Sequence, residues 1–594
     1  MKRLYIFLIT VAFHSAMAMA ADVTPQAAAR FAGLFLNTDR LQQVQDAGSS
    51  GRSGTRGGQS QPAYYVYNNP EGGWVIIAAD DRVCPVIAYS DEGSFKTEGM
   101  PENLGSWMDG IAEAVESVRN SGLQASDRIR EMWNSPVRST QPGTSKTIET
   151  ALWDQGTPYN DYCPVIPGER EHALTGCVAT AAAIVMRYYR WPEKGKGVIG
   201  GYYSDTDMPA YIPSYSIDDH TYNWDEMPLT DGYLKKSAWT DRQKAEVAQL
   251  MHDCGVMFNM GYSASSSSAY SEDIVGGITS HMSYSASTKQ IFRSSYTPDE
   301  WFSIIKNEID ADRLVLYDGQ GDYGGHQFVC DGYDTDGNKL HINWGWGGLC
   351  NGFFTLDMNV NDDVSFQQVQ SAIVGIMPDS QQGESEYPDV VVLEYFGGFY
   401  GLTPDTDFLS LKRGTEVRFI VGWLVNPQPH PLTVSLRIRL TDINGNVRQY
   451  LCDNSEEGEL PGFKGYVYSW NGTDTLDVDV NITDRYILQI KCGDGEWQDM
   501  KPDYTLYDAQ YVSCGALPEP VINIPSDCHA GDKVDLRLLP GYMPLKSVRW
   551  FVNDVEIADD IPVCTLQSGR NEIRAEAVFA DTSEGTVRTV VICD

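Results

Sequence analysis

The sequence predicts an α+β chain of several domains, and three observations carry this prediction. First, 594 residues are too many for one hydrophobic core, since single cores stop growing beyond about 250–300 residues. Second, helical patterns precede strand patterns between residues 148 and 380, whereas βαβ units would alternate them. Third, short strand-like runs recur after residue 385 between turn residues, without a long helical pattern. We therefore expect about three or four domains.

The composition is strongly acidic. The chain has 44 Lys and Arg residues against 81 Asp and Glu residues, which gives a formal net charge of −37. This charge argues against nucleic acid or an anionic membrane as a partner, because both are negatively charged. Hydrophobic residues make up 42% of the chain, which is ample for packed cores.

Metal-binding patterns are absent from the sequence. The 12 cysteines show no CxxC pair and no zinc spacing, and they are compatible with disulfides in an oxidising compartment. No two histidines have the spacing of helical ligands, so we expect neither a metal nor another cofactor. The alternating acidic residues at 474–484 allow a calcium site or the solvent face of a strand, and the second is favoured.

Residues 1–20 are typical of a secretory signal. Lys2 and Arg3 precede a short apolar run, and Ala18-Met19-Ala20 is a small-x-small cleavage site. The run is too short to cross a bilayer, and no other candidate span follows. We expect a secreted or extracytoplasmic protein, in the periplasm or at the cell surface, without a membrane span.

The first unit, residues 21–147, is predicted to be a small α+β domain. Its patterns indicate a helix over 24–36, a mobile loop over 47–61, strands at 63–67, 73–78 and 84–89, helical periodicity over 102–134 and an exposed linker over 134–147.

The second unit, residues 148–380, is predicted to begin with helices and continue with strands. Helices are expected from Cys177 to about Tyr189, over 240–258 and over 298–309, followed by strands at 314–317, 326–333, 339–344 and 352–356.

The remaining chain is predicted to form two β-sandwich modules, at 385–515 and 516–594, the second of them Ig-like. Strand-like runs include 390–393, 416–421, 433–438 and 547–552. Cys452 with Cys492, and Cys564 with Cys593, have separations that suit a sandwich, but the pairing stays open.

Cys177 is the candidate nucleophile. It follows the flexible Thr175-Gly176 and begins an Ala-rich run that Pro192 ends, which places it in the first turn of a buried helix. Unpaired N–H groups and the positive end of the helix dipole favour a thiolate there, and the thiolate is the nucleophilic form. A buried structural cysteine or half of a disulfide would explain the same stretch.

His326 is the candidate general base. It follows Gly324-Gly325, which admit a close substrate backbone, and it begins a strand that would fix its ring. An ordinary strand histidine is the alternative. His172 lies closer to Cys177 in sequence, although catalytic partners meet in the fold and not along the chain.

Asn343 and Gln155 are the candidate supporting residues. A turn at Asp336-Gly337 would fold the Asn343 strand back beside His326, so that Asn343 accepts the imidazole N–H and a tryptophan shields that bond. The simplest turn, however, places Asn343 opposite Cys330, and direct contact needs a bulge or another register. The amide of Gln155 is a candidate oxyanion donor beside the Cys177 N–H. Polar filler in a strand and an ordinary loop glutamine are the respective alternatives.

These motifs, in this order and spacing, resemble the streptopain family of cysteine peptidases. The resemblance rests on Gln155-Gly156-Thr157-Pro158-Tyr159-Asn160, Thr175-Gly176-Cys177-Val178-Ala179-Thr180-Ala181, Gly325-His326 and Asn343-Trp344-Gly345-Trp346-Gly347-Gly348. Gly73-Trp74-Val75-Ile76-Ile77-Ala78-Ala79-Asp80-Asp81-Arg82 and Ala88-Tyr89-Ser90 look like the inhibitory pro-domain of such enzymes. The resemblance covers roughly residues 22–375 and leaves out the last third.

The resemblance implies a papain-like fold and a zymogen. It implies that Cys177 attacks the peptide carbonyl and His326 transfers the proton. Gln155 would then complete the oxyanion hole, and Asn343 or a tryptophan would support the histidine. Gly325, Trp344 and Trp346 are expected at the substrate. The pro-domain would act as inhibitor until the 134–147 linker is cut. The family favours an apolar residue two positions before the scissile bond, and the Cys-Gly-Ser-Cys-Trp signature of papain itself is absent.

Two other classes of function compete with a secreted endopeptidase acting on proteins or peptides. One is an inert surface-binding or adhesion protein whose β modules bind an unknown surface or partner, but it predicts loss of nucleophile, base or oxyanion donor, and all are present. The other is a cysteine-based transferase or amidase, for which an inhibitory pro-domain has little use.

Overall fold

The structure is a computed structural model of the 594-residue chain. It describes residues 22–48, 62–97, 100, 102–121, 125, 127–136, 144–165, 170–204, 211–218, 220–229, 238–264, 266–293, 296, 298–321, 324–355, 358–361, 364–366, 370–381, 392–393, 402–404, 411–426, 431–442, 446–453, 457–461, 468–480, 484–500, 513–515, 521–523, 529–539, 545–553, 555–557, 563–579 and 584–593. The signal segment, most of the 47–61 loop and the middle of the 134–147 linker lie outside these residues.

The first unit contains three helices and four strands, close to the prediction. They are α1 (Pro25–Phe35), β1 (Gln42–Gly48), β2 (Pro62–Asn68), β3 (Trp74–Ala78), β4 (Val86–Ser90), α2 (Glu102–Ser121) and α3 (Asp127–Asn134). Thr24 caps α1 by accepting a hydrogen bond from the Ala27 N–H at 3.2 Å. The strands predicted at 63–67 and 73–78 form the hairpin of β2 and β3, and Gly72 and Gly73 supply its positive φ angles of 116° and 95°. β1 was not predicted.

The described residues of the second unit add α-helices and further strands. They are β5 (Ser145–Thr147), α4 (Cys177–Tyr189), β6 (Val198–Ile199), β7 (Tyr202–Tyr203), β8 (Tyr211–Ile212), β9 (Tyr215–Ser216), α5 (Asp241–Met257), α6 (Ser271–His281), β10 (Lys289–Phe292), α7 (Pro298–Asp310), β11 (Val315–Gly321), β12 (Gly324–Asp334), β13 (Lys339–Asn343), β14 (Gly352–Thr355), β15 (Met358–Asn361), β16 (Val364–Phe366) and β17 (Gln370–Val374). The helices predicted at Cys177, 240–258 and 298–309 and the four predicted strands are confirmed.

One antiparallel sheet joins the two units. Its strand order is β1-β2-β3-β4-β14-β13-β12-β11-β17-β10, with β5 beside β12. β4 of the first unit pairs with the edge strand β14 of the second, Tyr89 opposite Phe353 and Ala88 opposite Phe354. Side chains of both units also share one buried cluster, in which Trp74 and Val115 lie with Phe328 and Phe354. The first unit is therefore anchored to the second by a strand pairing and a common core.

α4 lies on the face of the sheet opposite to the cluster that the two units share. Its residues from Val178 to Met186 are buried and pack with α5, α6 and the sheet residues Leu316, Val329 and Ile373. The helix ends at Arg190, which adopts a left-handed φ of 52°, and Pro192 follows, so the predicted end is confirmed.

Two elements correct the prediction. Ser145–Thr147, assigned to the exposed linker, forms β5 and pairs with Gly332, Tyr333 and Asp334 of β12. α6 was not predicted, since its Gly276-Gly277 pair lowers intrinsic helix propensity. Packing of Ile274, Val275 and Ile278 into the core outweighs that cost.

The last part of the chain is built from strands. A first group comprises β18 (Val392–Leu393), β19 (Leu402–Pro404), β20 (Glu416–Val425), β21 (Leu432–Thr441), β22 (Val447–Leu451), β23 (Gly458–Leu460), β24 (Tyr468–Thr475), β25 (Arg485–Cys492), β26 (Gln498–Asp499) and β27 (Ser513–Gly515). A second group comprises β28 (Val521–Asn523), β29 (Lys533–Asp535), β30 (Arg537–Leu539), β31 (Leu545–Val552), β32 (Val555–Ile557), β33 (Val563–Thr565), β34 (Gly569–Phe579) and β35 (Glu584–Cys593).

Each strand group has a buried cluster of its own, between Leu402 and Met500 in the first and between Val534 and Cys593 in the second. Neither Cys452 with Cys492 nor Cys564 with Cys593 forms a disulfide in the structure. In the acidic 474–484 stretch, Asp474 accepts a hydrogen bond from the Cys452 N–H at 2.7 Å and Asp479 accepts one from the Arg413 N–H at 2.8 Å. Across the described residues, no helix combines the length and the hydropathy needed to cross a membrane.

Candidate active site

Cys177 is the first residue of α4, and Gly176 determines how it is reached. Gly176 has φ 85° and ψ 150°, a conformation that side chains disfavour. A Cβ atom at Gly176 would lie 2.8 Å from the Met260 sulfur and 2.9 Å from the Ser267 carbonyl oxygen. Only glycine therefore lets the chain enter the helix at this point.

The surroundings of Cys177 shift the pKa of its thiol upward. Burial raises its pKa, and the charge of Asp318 adds to that effect. Backbone N–H groups of Gln327, Val178 and Cys177 itself lie within hydrogen-bonding reach of the sulfur and lower the pKa, but they do not cancel the rise. Two of these three groups belong to the first turn of α4, where helices have unsatisfied donors and the positive end of the dipole.

His326 lies on β12, one residue before Gln327, whose N–H reaches the Cys177 sulfur. The structure therefore brings the predicted base to the strand position next to the predicted nucleophile. The proton transfer between the imidazole and the sulfur stays a prediction. His172 serves elsewhere, since its Nδ1 atom lies 2.5 Å from the Cys163 carbonyl oxygen.

Asn343 lies in a register that differs from the simplest expectation. It pairs with Val329 instead of Cys330, because β12 has a bulge between Cys330 and Gly332. The amide Nδ2 donates to the Thr150 hydroxyl and the Ala151 carbonyl, each at 3.0 Å, and Oδ1 accepts from the Gly345 N–H at 3.1 Å. Asn343 thus ties three segments of the site together, while its contact with His326 stays a prediction.

A polar network behind Asn343 was missed by the sequence analysis. Thr150 donates to one oxygen of Asp331 at 2.6 Å, and Nδ1 of His341 lies 2.5 Å from the other. Asp331 is the bulge residue, and its carbonyl accepts from the Ile148 N–H at 2.7 Å. The bulge therefore links β12 to the segment that follows the linker. A lone Asp in a strand gives no sequence signal for such a network.

Gln155 is 4% exposed and lies beside the segment that leads to Cys177. Its carbonyl accepts from the Thr175 N–H at 3.2 Å, two residues before Cys177. The neighbouring Trp153 carbonyl accepts from the Gly347 N–H at 2.7 Å, which joins the Gly-Trp-Gly-Gly loop to the Gln155 loop. The oxyanion role of the Gln155 amide stays a prediction.

Trp344 and Trp346 differ in burial, and their roles at the substrate stay predictions. Trp344 is 1% exposed and packs against Phe328 and Phe354, with both ring centroids 5.0 Å away. In this form of the chain it is a core residue and offers no surface to a substrate. Trp346 is partly buried against the same cluster, and Gly325 is exposed. Among the residues that the structure describes, no three His, Cys, Asp or Glu side chains group as metal ligands.

Two family profiles match separate parts of the sequence. The peptidase C10 family matches residues 153–354, which include every predicted catalytic residue. The Spi protease inhibitor profile matches residues 20–115, which correspond to most of the first unit.

Two named relatives match longer stretches of the chain than either profile does. Streptopain from Streptococcus pyogenes is 34% identical over 335 residues, which are 53% of this chain and 80% of streptopain. The thiol protease/hemagglutinin PrtT of Porphyromonas gingivalis is 32% identical over 403 residues, which are 65% of this chain but only 44% of PrtT.

Among solved structures, a fragment of prointerpain A from Prevotella intermedia is similar, with 26% identity and a TM-score of 0.45. That match covers 57% of this chain and 98% of the fragment. The streptopain match and the two profiles settle the family: the chain belongs to the peptidase C10 family of cysteine peptidases, together with streptopain.

Proposed function

We propose that this protein is a secreted cysteine endopeptidase made as an inactive precursor. The single observation that carries the proposal is the placement of Cys177 at the start of α4. There, backbone N–H groups surround the sulfur and the His326 strand runs alongside. The membership of the family and the inhibitor-like first unit support the same conclusion.

The proposed reaction uses the chain's own groups. The Cys177 sulfur attacks the carbonyl carbon of a peptide bond while His326 takes the thiol proton. The negative oxygen that forms is stabilised by the Cys177 N–H and the Gln155 amide. His326 then gives the proton to the leaving amine, and a thioester remains. Water, deprotonated by His326, attacks the thioester and releases the carboxylic acid and the thiol.

The first unit is proposed to hold the enzyme inactive. Three observations support this: the β4–β14 pairing, the shared core, and a Cys177 thiol whose raised pKa keeps it protonated. We place the activating cut within residues 134–147, between α3 and β5. The modules at 385–515 and 516–594 are proposed to be β-sandwiches with a surface or partner still to be identified, and residues 1–20 are proposed to direct secretion.

A second candidate function is surface binding by the C-terminal strand groups, with proteolysis secondary or lost. The separate buried clusters of these groups suit independent binding modules. The relative PrtT also carries both thiol protease and hemagglutinin in its name.

The test compares purified wild-type precursor with Cys177→Ala and with Cys163→Ala, which removes a buried thiol outside the site. Intact mass is followed over time under reducing conditions, together with digestion of unfolded casein. We expect cleavage near residues 134–147 and loss of casein for the wild type and Cys163→Ala, and neither for Cys177→Ala.

If all three chains stay intact, a trace of an unrelated protease distinguishes the remaining explanations. Casein digestion that then begins in the wild type shows that an external protease must activate the precursor. A processed wild type that leaves casein intact contradicts the endopeptidase and favours the binding function.

A further inference from the structure

Beside the nucleophile, three polar side chains form one row across the sheet. Gln327 of β12 pairs with Asp318 of β11, and Asp318 pairs with Ser371 of β17. Residues directly opposite each other in antiparallel strands project from the same face. The three side chains therefore lie side by side on one face of the sheet.

The next row on that face is apolar. It consists of Val329, Leu316 and Ile373, which are paired in the same way and pack into the core with α4. The polar row lies one step closer to the start of α4, because the Gln327 N–H reaches the Cys177 sulfur. Polar residues thus replace the apolar ones in the row nearest to Cys177.

These side chains are buried, and hydrogen bonds hold most of their polar atoms. Gln327 is 2% exposed, Asp318 8% and Ser371 1%. Ser371 donates to the Asp318 carboxylate and accepts from the Gln290 amide at 2.7 Å, and Ser271 donates to Oε1 of Gln327 at 2.8 Å. These hydrogen bonds come from residues on α6, β10 and β17, and they fix the orientation of the three side chains.

One donor in the row has no partner among the residues that the structure describes. Nε2 of Gln327 is buried and makes no hydrogen bond with any residue that the structure describes. A buried unsatisfied donor costs about 1–3 kcal/mol, so its retention asks for a reason outside the fold. A substrate group that accepts this hydrogen bond would remove the cost.

We propose that the row formed by Gln327, Asp318 and Ser371 is a substrate subsite that selects a carboxamide side chain, Gln or Asn. The inference rests on the proposed endopeptidase function. A carboxamide oxygen accepts from the Gln327 amide, and its NH₂ group donates to the Asp318 carboxylate, whose two oxygens together offer about four acceptor positions.

Other side chains match the row less well. A Leu or Val side chain would make no hydrogen bond with the Gln327 amide or the Asp318 carboxylate. A polar pocket rejects such side chains most strongly, because its own buried polar groups are then left unpaired. Lys and Arg donate but cannot accept from Gln327.

The test measures kcat/KM for the processed enzyme with peptides that vary one residue at a time over the positions flanking the scissile bond. Gln, Asn, Met, Leu, Lys and Arg are compared, and Met serves as the apolar match for Gln. We expect Gln or Asn to exceed Met and Leu by at least about tenfold at one position. Gln327→Met should remove that preference at the same position and leave the other positions unchanged.

Two controls keep the result interpretable. Gln249→Met makes the same change on α5, away from the row, and should leave the whole profile as in the wild type. Stoichiometric alkylation of Cys177, measured by mass, corrects each rate for the fraction of folded enzyme.

The proposal is overturned if apolar or basic residues are preferred at every flanking position, or if Gln327→Met keeps the carboxamide preference. Failure of the endopeptidase function would look different, because then no peptide in the series and no casein would be cleaved.

Discussion

At the scale of single residues, Gly176 controls the position of the nucleophile. Its φ of 85° and the 2.8–2.9 Å approach of Met260 and Ser267 leave no room for a Cβ atom. We predict that Gly176→Ala shifts the start of α4 and lowers kcat/KM by at least about 100-fold, because misplacement by about 1 Å is enough for such a loss. Peptide hydrolysis by equal amounts of folded protein measures the effect.

Gly156→Ala is the control for that prediction, since an added Cβ atom there meets nothing within 4 Å and φ is not positive. It should keep most of the wild-type activity. Equal activity of the Gly176 and Gly156 variants would contradict the packing argument.

The protonation state of Cys177 gives a second prediction. Its pKa is raised by burial in the precursor, so the thiol stays protonated through neutral pH and becomes reactive only at higher pH than an ordinary cysteine. We predict that alkylation of the precursor by iodoacetamide is slow at pH 7 and increases as pH rises past the usual thiol range.

Processed enzyme should react faster at pH 7, because the imidazole of His326 is then expected to stabilise the thiolate. Mass spectrometry of the Cys177 peptide gives both pH profiles. Coincident profiles for precursor and processed enzyme would contradict a protonated resting thiol in the precursor.

Sequence reasoning recovered the residues that short motifs mark. Cys177, His326 and Gln155 stand next to glycines in recognisable runs, and the structure brings their segments together. Gln327 and Asp318 were not singled out, because their meeting depends on strand register and on which strands are neighbours. One bulge at Asp331 was enough to shift Asn343 by a residue from its simplest expected partner.

At the scale of elements, the buried carboxylate of Asp253 connects α5 to Tyr215, His220 and Tyr222. Tyr215, Tyr222 and Gln249 donate to it at 2.7–2.9 Å, and Nδ1 of His220 lies 2.8 Å away. Burial alone would raise the pKa of Asp253, but hydrogen bonds from its neighbours lower it to about 2. The folded state therefore favours the ionised form.

The sign of the resulting pH dependence follows from that lowered pKa. The contribution to stability is complete above the ordinary pKa of the carboxyl group, about 4, and is lost as pH falls towards 2. We predict that Asp253→Asn, made in the Cys177→Ala chain to prevent self-digestion, destabilises it by about 2 kcal/mol at pH 5–7. The difference in unfolding temperature between this variant and the Cys177→Ala parent should become smaller below about pH 4.

Asp241→Asn is the matched change on the same helix, at an exposed position in its first turn. It should have little effect at any pH. If the difference in unfolding temperature between Asp253→Asn and its parent does not change with pH, lost packing and not the charge causes the destabilisation.

The junction between the units depends on the β4 edge. Tyr89 pairs with Phe353, and its hydroxyl donates to the carboxylate of Asp334, which is 4% exposed. We predict that Tyr89→Phe weakens the hold of the first unit, because losing a hydrogen bond to a charged group costs about 1.5–3 kcal/mol. Processing of the precursor should become faster, by up to about tenfold, in a gel time course.

Tyr65→Phe tests whether any lost tyrosine hydroxyl has the same effect. The Tyr65 hydroxyl donates to the Val23 carbonyl at 2.9 Å, entirely within the first unit. If both variants mature at the same rate, the bond to Asp334 does not hold the junction.

Elements with strong local patterns were predictable, and those made by pairing were not. α4, α5, α7 and the β2–β3 hairpin follow from apolar periodicity, caps and turn residues. The Ser-Lys-Thr of β5 has no strand pattern of its own and becomes a strand only because β12 offers an edge. The β4–β14 pairing likewise joins two segments that are more than 250 residues apart and have no shared sequence signal.

At the scale of the whole molecule, the buried clusters divide the chain more sharply than the sequence patterns did. The cluster that includes Trp74 also includes Phe354, so the first two units are packed as one body. The clusters of the two C-terminal strand groups contain only residues of their own group. Composition and strand spacing predicted the later boundary, but they also predicted a separate first domain, and they gave no sign of the shared core.

Because the C-terminal groups have buried clusters of their own, we predict that the first two units fold and work without them. A chain that ends after Gln381 keeps every residue of the clusters around α4 and around Trp74, so the precursor should fold and process itself as the full chain does. Because distant sites without shared partners act independently, kcat/KM for a short peptide should stay within about twofold of the full-length value. In calorimetry, the unfolding transitions of the C-terminal groups should disappear, and the remaining transition should stay at its original temperature.

A loss of activity beyond tenfold on a short peptide would mean that the C-terminal groups shape the active site itself. A loss confined to large protein substrates would assign to them the capture of those substrates.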